Sequence, residues 1–103
     1  MRSATIIESE QKVLMDIVTL VRDFLNPKRI IIFGSRISGR GREYSDFDIA
    51  VEGTEMNIRN ERLLKDALDD KLGIITVDLI NLDKVDSKFK QLVLQTGRVI
   101  YEQ

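Results

Sequence analysis

The chain has 103 residues, of which 43% are hydrophobic and 32% are charged, and its formal net charge is -1 at pH 7. This composition is typical of one small globular domain covering residues 1–103, and the near-neutral charge argues against a general nucleic-acid binder. The sequence has no cysteine and no histidine. Disulfides and thiolate catalysis are therefore excluded, and any metal site must rest on carboxylates, which favour hard ions such as Mg²⁺.

The sequence also argues against a membrane or secretory location. The longest aliphatic and aromatic run extends only from Ile30 to Phe33, which is far too short to cross a bilayer. The N-terminal segment MRSATIIESEQK lacks the apolar core of a signal peptide. These features predict a cytoplasmic location.

Hydrophobic periodicity in the first half of the chain predicts a helix followed by two strands. The helix is expected over about residues 8–25, with a capping box at Thr5 and Glu8 and an end at Asn26 and Pro27. The strands are expected over residues 28–33 and 47–51. A short helical turn and a loop are predicted between them.

The second half continues the alternation of helices and strands. The predicted elements are a helix at about 57–72, a strand at 74–82, a helix at 87–96 and an edge strand at 98–101. Gly73 is predicted to cap the first of these helices in the left-handed conformation, and Gly97 is predicted to cap the second. Phe89, Leu92 and Val93 of the second helix are predicted to face the core. This order predicts one compact, layered unit.

Two aspartates at the start of the second predicted strand are candidate metal ligands. Asp46 and Asp48 lie two residues apart, so their side chains project to the same face of a strand. Two carboxylates that close repel each other unless a cation lies between them. The alternative is that Asp46 caps a turn after Ser45 while Asp48 is merely solvated, and Asp-x-Asp alone is a common pattern.

Asp78 is a third candidate ligand, because it lies in the apolar segment IITVDLI, residues 74–80. An unpaired ionised carboxylate in a core costs several kcal/mol, which is comparable with the whole stability of a small domain. A role as third metal ligand beside Asp46 and Asp48 would explain the charge. The alternatives are an exposed face of an edge strand or a salt bridge to one of the arginines.

Gly34 and Ser35 are candidates for binding phosphate. A strand that runs into glycine and then a helical turn presents free backbone N–H groups at a helix N-terminus, where phosphate binds well. Gly34 allows a close backbone approach, and the Ser35 hydroxyl can donate to a phosphate oxygen. Arg36, Arg40 and Arg42 could add positive charge near a triphosphate. The alternative is an ordinary turn with solvated arginines, especially at Arg40 and Arg42.

Taken together, GSRISG (34–39), SDFDIAV (45–51) and VDLI (77–80) resemble the nucleotidyltransferase superfamily that includes DNA polymerase beta. More closely, they resemble the minimal nucleotidyltransferases, or MNT domains. The resemblance implies an α+β (α/β two-layer) fold with helices packed on a small mixed sheet of about four strands. It also implies a nucleotide site formed by Gly34, Ser35, Arg36 and Ser45, and two Mg²⁺ ions held by the catalytic residues Asp46, Asp48 and Asp78.

The activity implied by the resemblance is Mg²⁺-dependent transfer of NMP, with ATP as the family default, to an acceptor hydroxyl. Many active relatives continue into a helical domain that binds the acceptor, whereas this chain ends soon after the fourth predicted strand. The expected partner is therefore a separate helical protein of the HEPN class. In that interpretation the chain is an antitoxin that attaches AMP to a tyrosine of a HEPN toxin.

The sequence leaves two other functions open. The chain could be a non-catalytic antitoxin that acts by complex formation, or it could transfer a nucleotide to a small molecule such as an aminoglycoside. A nucleic-acid polymerase is disfavoured, because the near-neutral charge gives no sign of a basic channel. A homo-oligomer is compatible with the sequence.

Overall fold

Apart from the segment between the first two strands, helices and strands alternate along the chain, as the periodicity predicts. In the computed structural model, which describes residues 2–34, 47–73 and 75–103 with side chains from residue 11 onward, the helices are α1 (Arg2–Leu25), α2 (Ile58–Leu72) and α3 (Ser87–Thr96). The strands are β1 (Arg29–Phe33), β2 (Phe47–Glu52), β3 (Val77–Asn81) and β4 (Arg98–Glu102). The helical turn and loop predicted after Gly34 lie outside the described residues.

The four described strands form one mixed sheet in the order β3-β2-β1-β4. β1 is antiparallel to both β2 and β4, whereas β2 and β3 are parallel and are connected through α2. β1 therefore runs against the other three strands, and its C-terminal end lies at the same end of the sheet as their N-terminal ends. The mixed sheet of four strands with helices packed on it confirms the predicted α+β fold.

One face of the sheet carries the main core. Strand residues that alternate along β1 and β2 point to this face, and α1 and α2 cover it. Their side chains are nearly or completely inaccessible to solvent, which makes this layer the main source of hydrophobic stabilisation. The innermost members are Ile17, Val21, Ile30, Phe47, Ile49, Val51 and Leu64, each 0% exposed.

The opposite face of the sheet carries a smaller core under α3. Ile31 and Ala50 point to this side and are buried together with Leu82 and with Val93 of α3. Gly97, directly after α3, lies so close to the sheet that a Cβ there would come within 2.6 Å of Ile31 Cγ2. The small core thus fixes α3 against the middle of the sheet.

Several predicted helix ends differ in the structure. α1 begins at Arg2, so Thr5 and Glu8 lie inside the helix and the predicted capping box is wrong; no proline or glycine stops the helix from extending past residue 8. The end at Asn26 is confirmed, since Asn26 has a φ of 49° and Pro27 follows it. Among the described helices, none combines the length and the apolar character needed to cross a membrane.

The second half of the chain shows smaller differences. Gly73 has a positive φ of 69°, as predicted, but its ψ of -116° lies outside the left-handed helical region, and Gly97 has a φ of -85°. Phe89 and Val93 pack against the smaller core, whereas Leu92 is 53% exposed and its predicted inward position is wrong. Leu92 precedes Val93 by one residue, which turns its side chain about 100° away from the buried stripe.

Candidate active site

Three strand ends meet at one end of the sheet and bring together residues that are far apart in sequence. In the antiparallel pair Phe33 lies opposite Asp48, and in the parallel pair Asp48 lies opposite Asp78. Register partners on adjacent strands project to the same face of a sheet. Phe33, Asp48 and Asp78 therefore form a row across β1, β2 and β3.

The alternation of side chains sends both aspartates away from the main core. Phe47 and Val77, the residues just before them, point into that core and are 0% and 8% exposed. Asp48 is half-buried and Asp78 is exposed. Adjacent strands are only about 4.7–4.9 Å apart, so the two carboxylates lie near each other on a face that solvent reaches.

The position of Asp78 corrects the reasoning from its apolar neighbours. β3 is an edge strand, and its burial alternates so that Val77 and Leu79 face the core while Asp78 is exposed. The charge is therefore tolerated without a metal ion, as in the edge-strand alternative. A ligand role for Asp78 is therefore supported by its pairing with Asp48 and not by burial.

Gly34 lies directly beside this row at the end of β1. Its φ is 88°, a conformation that L side chains rarely adopt, and its Cα faces the carboxylate of Asp48. A Cβ built on Gly34 would overlap Asp48 Oδ2. Of the other candidate residues, Ser35, Arg36, Arg40, Arg42, Ser45 and Asp46 lie outside the described residues.

An aromatic pair bounds the row on the side of β1, and the sequence analysis missed it. The rings of Phe33 and Phe89 pack edge to face, with centroids 6.0 Å apart and an interplanar angle of 84°. The first turn of α3 is held by Asp86, whose Oδ1 accepts a hydrogen bond of 2.8 Å from the Phe89 backbone N–H. The position of Phe33, one residue before Gly34, was the feature of the sequence that could have indicated an aromatic residue beside the site.

A second charged cluster lies at the opposite end of the sheet and was also missed. Glu52 accepts a hydrogen bond of 2.8 Å from Arg29 Nε, and its other oxygen lies 3.3 Å from Lys90 Nζ of α3. The single negative charge of Glu52 is thus paired with two positive charges. The cluster therefore joins α3 to the sheet and does not offer free carboxylates to a ligand.

The donors at the Asp48 end fit a divalent cation. Carboxylate oxygens are the ligands that Mg²⁺ prefers, and the register places two of them side by side on an accessible face. Within residues 2–34, 47–73 and 75–103 no group of three acidic, histidine or cysteine side chains is close enough to hold a metal ion. A three-carboxylate site would therefore need an acidic residue from outside those ranges, and Asp46 is the one that the sequence predicts.

Comparison with known families identifies a matching family model. Residues 15–103 match the family model of the polymerase beta nucleotidyltransferases, a range that includes Gly34, Asp48 and Asp78. None of the curated proteins is a significant match to the chain in sequence.

Three solved structures illustrate the likeness in fold. A chain of a toxin–antitoxin complex with AMP-PNP is 30% identical, with a TM-score of 0.71 over 84% of this chain and 71% of that one. A chain from the complex of a tri-AMPylated Shewanella oneidensis HEPN toxin with its MNT antitoxin is 26% identical, with a TM-score of 0.69 over 90% and 72%. A minimal nucleotidyltransferase is 25% identical, with a TM-score of 0.71 over 87% and 91%.

Proposed function

Because the chain belongs to the polymerase beta nucleotidyltransferase family, we propose that it transfers AMP from ATP to a hydroxyl group of a HEPN-type partner and acts as that partner's antitoxin. The observation that carries the proposal is the row at one end of the sheet. There Asp48 and Asp78 are register partners, and Gly34 lies against Asp48. Residues 1–103 would act as one catalytic domain.

The relatives support the choice of partner and nucleotide. One similar structure is a toxin–antitoxin complex with AMP-PNP, and another contains an AMPylated HEPN toxin with an MNT antitoxin. AMP-PNP is an ATP analogue, which favours ATP among the nucleoside triphosphates. An acceptor hydroxyl on a separate helical protein is therefore the substrate we propose for this chain.

The carboxylates would hold two Mg²⁺ ions, as the donor set allows. Asp46 and Asp48 would be the principal ligands, and Asp78 would be the third. When bound, the ions supply charge neutralisation of the triphosphate and orient its oxygens. Gly34 and Ser35, together with Arg36 and Ser45, would hold the triphosphate through backbone N–H groups, hydroxyl groups and the guanidinium.

The proposed reaction is an in-line displacement at the α-phosphorus. A bond forms between the acceptor oxygen and the α-phosphorus, and the bond from that phosphorus to the bridging oxygen of pyrophosphate breaks. The acceptor proton passes to the Asp78 carboxylate, which is exposed and can return it to water. Since the chain supplies no covalent intermediate in this scheme, positioning and charge neutralisation account for the rate.

The test is incubation of the chain with ATP labelled at the α-phosphate, Mg²⁺ and the protein encoded beside it. We expect label on that protein, and loss of the label with EDTA or in Asp48→Asn and Asp78→Asn. Asp70→Asn is the matched control, because it removes the same charge from an exposed position on α2. It should leave labelling unchanged.

Three outcomes would contradict the proposal. Full labelling in both Asp48→Asn and Asp78→Asn would refute the assignment of the carboxylates. A stable complex of the two proteins that carries no label would instead support an antitoxin that acts by binding alone. Label on an added aminoglycoside and not on the protein would identify a small-molecule acceptor.

A further inference from the structure

We propose that Gly34 is a positioning residue for Asp48, in addition to any contact that its backbone makes with phosphate. The missing side chain of Gly34 leaves the space that the Asp48 carboxylate occupies. The inference rests on the proposed function, since it assigns a task to Gly34 within that site. It concerns a contact inside the chain and can be tested without catalysis.

The contact with Asp48 is close. Among the residues that the structure describes, the three heavy atoms nearest to a Cβ built on Gly34 all belong to Asp48: Oδ2, which it would overlap, Cγ at 3.2 Å and the Asp48 Cβ at 3.5 Å. The carboxylate thus lies directly over the Gly34 Cα. Any side chain at position 34 would have to displace the carboxylate or the backbone.

The surroundings limit where the carboxylate could move. Asp48 is half-buried, with Phe33 as its register partner on one side and Asp78 on the other. Phe33 is supported by the ring of Phe89. A carboxylate displaced toward β3 would approach the like charge of Asp78, which is unfavourable.

Gly73 provides a matched control within the same chain. Its φ of +69° is comparable with the +88° of Gly34, but a Cβ on Gly73 would meet no heavy atom within 4 Å. Alanine at either position therefore introduces backbone strain of the same kind. Alanine at position 34 alone introduces, in addition, the overlap with Asp48.

Two roles of Gly34 can be separated by measuring metal binding without nucleotide. If Gly34 serves only to let phosphate approach the backbone, Gly34→Ala weakens nucleotide binding and leaves the binding of metal alone unchanged. If Gly34 positions Asp48, the same substitution weakens metal binding even when no nucleotide is present. Groups that orient metal ligands typically contribute about 10- to 100-fold to metal affinity.

The first measurement is titration of the full chain with Mn²⁺ alone, monitored by electron paramagnetic resonance of the free ion. We expect Gly34→Ala to weaken Mn²⁺ binding by about 10- to 100-fold and Gly73→Ala to leave it unchanged. Asp48→Asn should show the largest loss. Equal Mn²⁺ affinity in Gly34→Ala and wild type, with a clear loss in Asp48→Asn, would overturn the positioning role while leaving the proposed function intact.

The second measurement is a double-mutant cycle on thermal unfolding in the presence of EDTA. Asp48→Ala removes the overlapping oxygen and Cγ, so we expect Gly34→Ala to lower Tm less in the Asp48→Ala background than in the wild type. The Gly73→Ala and Asp48→Ala effects should simply add, because the two sites do not touch. Additive effects of Gly34→Ala and Asp48→Ala would refute the contact.

The double-mutant cycle still tests the contact if the Gly34→Ala chain does not fold or if the wild-type chain binds no Mn²⁺. If the Gly34→Ala chain does not fold, recovery of folding in the double variant is the expected result, and failure to recover would overturn the proposal. If the wild-type chain binds no Mn²⁺ and transfers no label, the proposed function fails. The coupling between positions 34 and 48 would still be measured by Tm and would decide the structural inference separately.

Discussion

Asp48 of β2 and Asp78 of β3 are direct register partners, and both project from the face of the sheet opposite the main core. Thirty positions of sequence separate them, yet their strands run side by side and in the same direction. The pairing places two negative charges close together where solvent and a ligand can reach them. A divalent cation held by both carboxylates would offset the repulsion between them.

Replacement of Asp78 by asparagine should separate stability from activity. Because Asp78 is exposed and removal of its charge relieves repulsion with Asp48, we expect the free energy of unfolding to change by no more than about 0.5 kcal/mol. Label transfer should fall to background. Urea denaturation and the labelling assay measure the two effects, and a variant that retains transfer would show that Asp78 is dispensable.

Nucleotide should stabilise the chain only together with a divalent ion. A ligand present at 100 times its Kd stabilises a folded protein by about 2.7 kcal/mol. For a domain of this size each kcal/mol raises Tm by about 4–8 °C. We therefore expect a large rise in Tm with Mg²⁺ and a non-hydrolysable ATP analogue, measured by differential scanning calorimetry.

The same shift should be absent with EDTA and in Asp48→Asn. The control variant Asp70→Asn, which lies on α2 away from the row, should keep the full shift. An equal rise in Tm for wild type with and without the divalent ion would contradict a carboxylate-bound metal that bridges the chain and the triphosphate.

The Glu52 cluster should contribute to stability and not to transfer. Glu52 is 20% exposed and contacts Arg29 and Lys90, so Glu52→Gln should lower the free energy of unfolding by about 1 kcal/mol. The loss should shrink at high salt, because salt screens partly exposed charges. Urea denaturation at two ionic strengths measures both effects.

A matched variant exists on α2. Glu61 and Lys65 form a more exposed pair, 3.9 Å apart, at i and i+4. Glu61→Gln should cost no more than about 0.5 kcal/mol. Equal losses in Glu52→Gln and Glu61→Gln would show that the attachment of α3 to the sheet does not depend on the cluster.

The main core should respond strongly to truncation next to the site. Ile49 is 0% exposed and follows Asp48 in β2, so Ile49→Ala should cost about 2–5 kcal/mol in the free energy of unfolding. Val99→Ala on the edge strand β4 truncates a side chain that is 44% exposed and should cost much less. Circular dichroism in urea compares the two, and similar losses would contradict the assigned burial.

Much of the local structure could be read from the sequence. The strand predicted at residues 47–51 places Asp48 on the face opposite Phe47 and Ile49, because period-two alternation is a property of the strand itself. In the structure Phe47 and Ile49 lie in the main core and Asp48 lies on the other face. The third helix was predicted with its observed bounds, residues 87–96. The N-terminus of α1 was not, since helix ends depend on weak local preferences that several nearby residues satisfy equally well.

Sequence alone therefore determined the element types, the side of the strand on which Asp48 lies and the resemblance to nucleotidyltransferases. Tertiary structure decided that β2 pairs with β3 in the register that joins Asp48 to Asp78, that Asp78 is exposed, and that Gly34 lies over the Asp48 carboxylate. The physical reason is the distance along the chain over which the deciding contacts act. Periodicity and caps depend on neighbours a few residues away, whereas register, edge position and close approach depend on contacts between segments distant along the chain.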